Sequence, residues 1–130
     1  MKTPICDFVK KYVESYALRL HMPGHKGVSF IGAEPLDITE IDGADVLYSP
    51  DGIIEESENN ASALFGTRHS FYSTEGSSLC IRAMVYLIKL HALNEGRKPK
   101  ITAFRNAHKT FITACALTGV ETEWLYGSEN

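Results

Sequence analysis

Apolar residues recur every three or four positions in four stretches of the chain, the spacing of a helix that buries one face. In the first stretch, Thr3 and Pro4 are typical of an N-cap and a first helical residue, and the pattern predicts a helix that ends near Arg19. In the second, the pattern predicts a helix over 53–65 that stops at Gly66, where glycine is favoured after the last helical residue.

The second half of the chain alternates strand-like and helix-like segments. Strand-like runs occupy 68–73, 100–104 and 121–125, and helical patterns occupy 77–93 and 108–117. Strands that alternate with helices across short links are typical of a parallel sheet with crossover helices. The predicted fold class is therefore α/β. Between the first two helices, the prolines and glycines of 21–36 predict a long structured loop or arm.

Composition and charge exclude several classes of function. The 130 residues and 44% apolar content suit one domain or a piece of a larger one. Thirteen basic against sixteen acidic residues give a net charge of -3 with the signs interspersed, so we expect no nucleic-acid partner. The apolar runs are far shorter than the roughly 20 residues of a membrane helix, and we expect a cytoplasmic protein with no membrane partner. Three cysteines without a CxxC pair argue against a disulfide framework and a thiolate metal site.

The turn from Ser73 to Ser78 carries the sharpest chemical signal. It lies where a predicted strand ends and a predicted helix begins, so unpaired backbone N–H groups point at any ligand there, and an anion is favoured. Gly76 allows a phosphate to approach the backbone, and the hydroxyls of Ser77 and Ser78 can donate to its oxygens. An ordinary turn with a serine cap remains the alternative. The turn matches neither a P-loop nor a dinucleotide-binding fingerprint.

His108 follows the predicted strand over 100–104 and precedes a predicted helix, so it lies between a strand end and a helix start, as the turn from Ser73 to Ser78 does. If this strand neighbours the one over 68–73, His108 lies beside Ser77 and its imidazole could stack on a flat ligand. A purely structural histidine remains equally open.

Two other polar groups give weaker signals. His21 and His25 are four residues apart, but the proline and glycine between them forbid a regular turn and no third ligand has suitable spacing, so a zinc site is disfavoured. The acidic stretch over 37–45 could bind a cation or simply solvate a loop, and the second is more common. Its members are Asp37, Glu40, Asp42 and Asp45.

Six motifs, in order along roughly 17–125, resemble the start of the ornithine/lysine/arginine decarboxylases, which are pyridoxal-phosphate enzymes of the aspartate-aminotransferase fold. The motifs are HMPGHK over 21–26, DITE over 37–40, SPDGI over 49–53, LFG over 64–66, FYSTEGSS over 71–78 with the alanine and methionine at 83–84, and RNAHK over 105–109.

The resemblance implies a role for each matching residue. Gly76, Ser77 and Ser78 would hold the 5'-phosphate of pyridoxal 5'-phosphate, and His108 would stack on its ring as the candidate catalytic residue. Glu75 departs from the family, since many relatives have asparagine there. The HMPGHK segment and the acidic stretch match regions near the active-site entrance and the dimer interface.

The implied activity is decarboxylation of lysine, ornithine or arginine through an external aldimine and a ring-stabilised carbanion, with polyamine metabolism as its context. Neither Lys26 nor Lys109 matches the family's Schiff-base lysine. We therefore expect an N-terminal part of the large domain, or one chain of a split protein, that is inactive alone. It would consist of a helix and arm over 1–36 and the incomplete cofactor-binding domain over 37–130.

The expected partners are a basic amino acid, the remainder of the catalytic domain and further copies of the chain. Two alternatives stay open. One is a non-catalytic anion-binding or dimerisation domain, and the other is an aminotransferase or aldolase of the same fold.

Overall fold

A computed structural model describes residues 2–127, and it divides between Tyr72 and Ser73 into two compact units. In chain order the elements are α1 (Pro4–Glu14), a short 3-10 helix (Glu34–Leu36), α2 (Ile53–Phe65), α3 (Gly76–Asn94), β1 (Lys100–Phe104), α4 (Lys109–Thr118) and β2 (Glu121–Leu125). The division predicted from the sequence, into a helix and arm over 1–36 and part of a cofactor-binding domain over 37–130, stays a prediction. None of the described helices is both long enough and apolar enough to cross a membrane.

Helix α1 begins where the sequence predicts and ends five residues early. Pro4 is its first residue and is buried. The helix stops at Glu14 because the Ser15 hydroxyl donates to the Tyr12 carbonyl and Tyr16 adopts a left-handed backbone with φ 51°. Its apolar side chains are half-buried as α1 packs on α2, whose predicted bounds are confirmed, with Gly66 ending it at φ 65°.

The predicted strand over 68–73 is wrong, because these residues have no regular structure. A strand needs a neighbour to satisfy its backbone N–H and C=O groups, and no described strand pairs with this segment. The Tyr72 N–H instead donates to a carboxylate oxygen of Glu58 at 2.7 Å. Glu58 lies on α2 and is only 7% exposed.

The second unit confirms the α/β class. β1 and β2 pair in parallel, with Lys100 opposite Glu121 and Phe104 opposite Leu125, and α4 connects them. The observed bounds of α3, β1, α4 and β2 agree with the predicted ones to within a residue. The core between the helices and the sheet consists of Val85, Ala114, Cys115 and Val120, with Ile101 and Phe111 packed against it. Cys115 is therefore a core residue, whereas Cys6 and Cys80 are exposed.

Candidate functional site

The first turn of α3 presents backbone N–H groups that no side chain caps. Glu75 is the N-cap residue, but its carboxylate makes no capping bond, and its own N–H donates to the Ser73 hydroxyl at 3.2 Å. The N–H groups of a first helical turn have no partner within the helix. This end of α3 therefore offers donors to an acceptor from outside, while an exposed carboxylate stands beside it.

Gly76 opens α3 with φ 63°, a conformation that glycine adopts without strain. A Cβ built on this residue meets no atom within 4 Å, so the space beside the backbone is open. Glycine is thus required here for backbone conformation, and the open side leaves room for an anion. The Ser77 side chain is exposed and that of Ser78 is half-buried.

His108 is the N-cap of α4. Its Nδ1 accepts a hydrogen bond from the Thr110 N–H at 3.2 Å, which satisfies one of the first-turn donors of that helix. Because Nδ1 is the acceptor, the neutral ring carries its proton on Nε2. This bond fixes the orientation of the imidazole, and the residue remains exposed.

Thr110 joins the two helix starts. Its hydroxyl lies 3.4 Å from the Ser78 hydroxyl, and the residue is only 7% exposed. The serine turn and His108 are therefore linked through a single residue. The reason is not the predicted one, since the strand over 68–73 is absent. Packing of α3 against α4 brings the two turns together instead.

The candidates of the first unit have other partners. The hydroxyl of Tyr12 and Nε2 of His21 are 2.7 Å apart, whereas the His25 ring lies between the Gly27 N–H at 2.9 Å and an Asp37 carboxylate oxygen at 3.1 Å. Both histidines thus have hydrogen-bond partners within the first unit. In the described part of the chain, no group of three metal-ligating side chains converges.

Asp45 has a structural role that the sequence did not indicate. Its carboxylate accepts hydrogen bonds from the backbone N–H groups of Val46, Asp51, Gly52 and Ile54 at 2.7–3.1 Å. It therefore caps the start of α2 from nine residues upstream. Partial burial alone would raise the pKa of Asp45, but the four backbone bonds together outweigh it and lower the pKa to about 2.

Residues 3–130 match the family model described as Orn/Lys/Arg decarboxylase, major domain. The chain belongs to this family.

Several curated relatives of the chain carry the name arginine decarboxylase. That of Bacillus subtilis is 34% identical over 128 residues, which are 91% of this chain and 25% of the relative. That of Halalkalibacterium halodurans is 33% identical, with the same coverage of both chains. That of Bacillus cereus is 32% identical over 130 residues, 92% of this chain and 27% of the relative. The chain spans about a quarter of the length of these relatives, and no solved structure matches it significantly.

Membership of the Orn/Lys/Arg decarboxylase family agrees with the arrangement of the second unit. Its α/β architecture suits the N-terminal part of the major domain. The start of α3 also fits a phosphate, because open space at Gly76, uncapped N–H groups and two hydroxyls occur together. Thr110 is the residue of this site that sequence reasoning missed. Nothing in a one-dimensional pattern pairs it with Ser78, which lies 32 residues away.

Proposed function

We propose that this chain forms part of a pyridoxal-phosphate-dependent decarboxylase of a basic amino acid. The observation that carries the proposal is the link from the uncapped start of α3, through Thr110, to His108 at the start of α4. The names of the relatives make arginine the first substrate to test, followed by lysine and ornithine.

In this proposal the chain's own residues hold and orient the cofactor. Gly76, Ser77 and Ser78 bind the phosphate with first-turn N–H groups and hydroxyls. His108 lays its imidazole against the ring and is held by the Thr110 N–H. Pyridoxal phosphate, when bound, supplies the sink for the electron pair that remains when carbon dioxide departs. This arrangement requires the Glu75 carboxylate to point away from the phosphate, because two anions repel each other.

The remainder of the catalytic domain is the partner that the proposal requires. Large apolar side chains along α3 are exposed, among them Met84, Tyr86, Leu87, Leu90 and Leu93. Such a surface is typical of an interface rather than of a free helix. Assembly of further copies of the chain and a cytoplasmic location remain predictions.

The test compares the whole protein that carries this chain with two of its variants. We expect it to release carbon dioxide from arginine, lysine or ornithine and to retain pyridoxal phosphate after desalting. The double variant Ser77→Ala/Ser78→Ala and the variant His108→Ala should each retain less cofactor. Phosphate binding without retained cofactor or carbon dioxide release would instead favour a non-catalytic anion-binding domain. Unchanged retention in both variants would remove the proposed site.

A further inference from the structure

A cavity of about 620 Å³ lies in the first unit, between the end of α1 and the loop that carries the HMPGHK motif. Most of its lining is apolar and includes Val13, Leu18 and Pro35, and two cationic side chains, Arg19 and Lys26, complete it. Among the described residues, none of those that line it is acidic. This is the reverse of the chain as a whole, which carries a net charge of -3.

The guanidinium of Arg19 contacts a ring and a carbonyl, but one of its nitrogens lacks a hydrogen-bond partner among the described residues. Its Cζ lies 5.0 Å from the centre of the Tyr12 ring, and its Nη2 donates to the Pro35 carbonyl at 2.7 Å. Its Nη1 is buried and has no hydrogen-bond partner among the described residues. Gly27 covers it on one side so closely that a Cβ there would lie 2.9 Å from Nη1. A buried charged donor without an acceptor is unfavourable, so the arrangement is incomplete.

The nearby acidic side chains do not supply the missing partner. Asp37 contacts His25 at 3.1 Å, and the Glu34 carboxylate accepts from the N–H groups of Ile31 and Gly32. Neither Arg19 nor Lys26 forms an ion pair within the described residues. Within residues 2–127, the Lys26 ammonium donates only to the His21 carbonyl, which leaves two N–H groups for another acceptor.

We propose that this cavity binds an oxyanion carried on an apolar body, such as an aromatic or aliphatic carboxylate. The head group lies between Arg19 and Lys26, and a rotation of the guanidinium turns Nη1 from beneath Gly27 to the ligand. The apolar walls contact the body. Guanidinium groups bind carboxylate and phosphate oxygens through paired hydrogen bonds, which is why Arg19 is the principal contact. This site does not depend on the proposed decarboxylase activity.

The experiment titrates the full chain with benzoate, followed by NMR at low ionic strength. Benzyl alcohol tests the apolar body without the charge, and inorganic phosphate tests the charge without the body. We expect benzoate to bind, benzyl alcohol to bind at least tenfold more weakly, and added salt to weaken benzoate binding. Phosphate that shifts the NMR signals of the cavity residues Val13, Leu18 and Lys26 at concentrations as low as benzoate does would identify a phosphate head group in this cavity. Phosphate that shifts those signals only at higher concentrations, or shifts only signals at the start of α3, would identify a carboxylate.

Three variants locate the site. Arg19→Gln should weaken benzoate binding by about tenfold or more, and Lys26→Gln by about fivefold, because each removes a charge-assisted hydrogen bond. Lys10→Gln, an exposed change on α1 outside the cavity, should leave binding unchanged. If Arg19→Gln does not fold, benzoate binding to Lys26→Gln still tests the proposal, because Lys26 is exposed. Absence of benzoate binding, equal binding of benzyl alcohol, or binding that neither cavity variant weakens would overturn it.

Discussion

The hydroxyl oxygens of Ser78 and Thr110 lie 3.4 Å apart, and this contact connects the first turn of α3 with the first turn of α4. It is a long hydrogen bond in a half-buried place, so its energetic contribution is modest. Its importance is positional, because the same threonine holds the His108 ring through its backbone N–H.

We predict a small, measurable coupling between Ser78 and Thr110. In a double-mutant cycle of Ser78→Ala and Thr110→Val, urea unfolding should give a coupling free energy of about 0.5 kcal/mol. Valine keeps the branched shape and the backbone N–H of Thr110, so the cap on α4 remains. The matched control pairs Ser78→Ala with Thr113→Val, whose hydroxyl bonds the Thr110 carbonyl instead. Equal coupling in both cycles would contradict the contact.

We predict that the two roles of His108 can be separated. His108→Ala removes the cap of α4 and should lower the free energy of unfolding by about 1 kcal/mol. His108→Asn supplies another side-chain acceptor, so stability should be nearly restored. Asparagine lacks an aromatic ring, however, and the whole protein should still lose cofactor retention. Retention in the asparagine variant equal to that of the parent would mean that His108 acts only as a cap.

We predict that Asp45 stabilises the fold in a pH-dependent manner. The folded pKa of about 2 lies below the ordinary value of 3.8. The ionised carboxylate therefore contributes stability above pH 3.8, and this contribution is lost as the pH falls toward 2. Asp45→Asn should lower the urea midpoint at pH 7, and the difference from the parent should shrink below pH 3.8. Asp42→Asn, an exposed carboxylate that makes the same charge change, should alter the midpoint little at either pH.

We predict that glycine is required at position 27 for two reasons. It adopts a left-handed backbone, and it leaves room for the Arg19 side chain. Gly27 and Gly32 have φ 78° and 97°, but a Cβ would meet atoms within 4 Å only at Gly27. Gly27→Ala and Gly32→Ala should each lose about 1 kcal/mol from the left-handed backbone. Only Gly27→Ala should also displace Arg19 from Tyr12 and shift the Tyr12 ring signals in NMR spectra. Ring signals that move equally in both variants would refute the specific contact.

Local patterns in the sequence were sufficient to predict the regular elements, apart from the end of α1 and the short 3-10 helix. The bounds of α2, β1 and β2 follow from apolar spacing and from glycine at a helix end, as at Gly66, because these signals act over a few residues. The α/β class follows from the order of the elements. The turn with Gly76 and the position of His108 at a helix start were also predicted, whereas the capping role of His108 was not.

Tertiary structure decided which polar groups meet. The strand expected over 68–73 does not form, because a strand exists only where a neighbour pairs with it. The contact of Ser78 with Thr110 and the capping of α2 by Asp45 join residues that no periodicity relates. Hydrogen bonds of this kind depend on packing in three dimensions, whereas helix and strand propensities are carried by neighbouring residues along the chain.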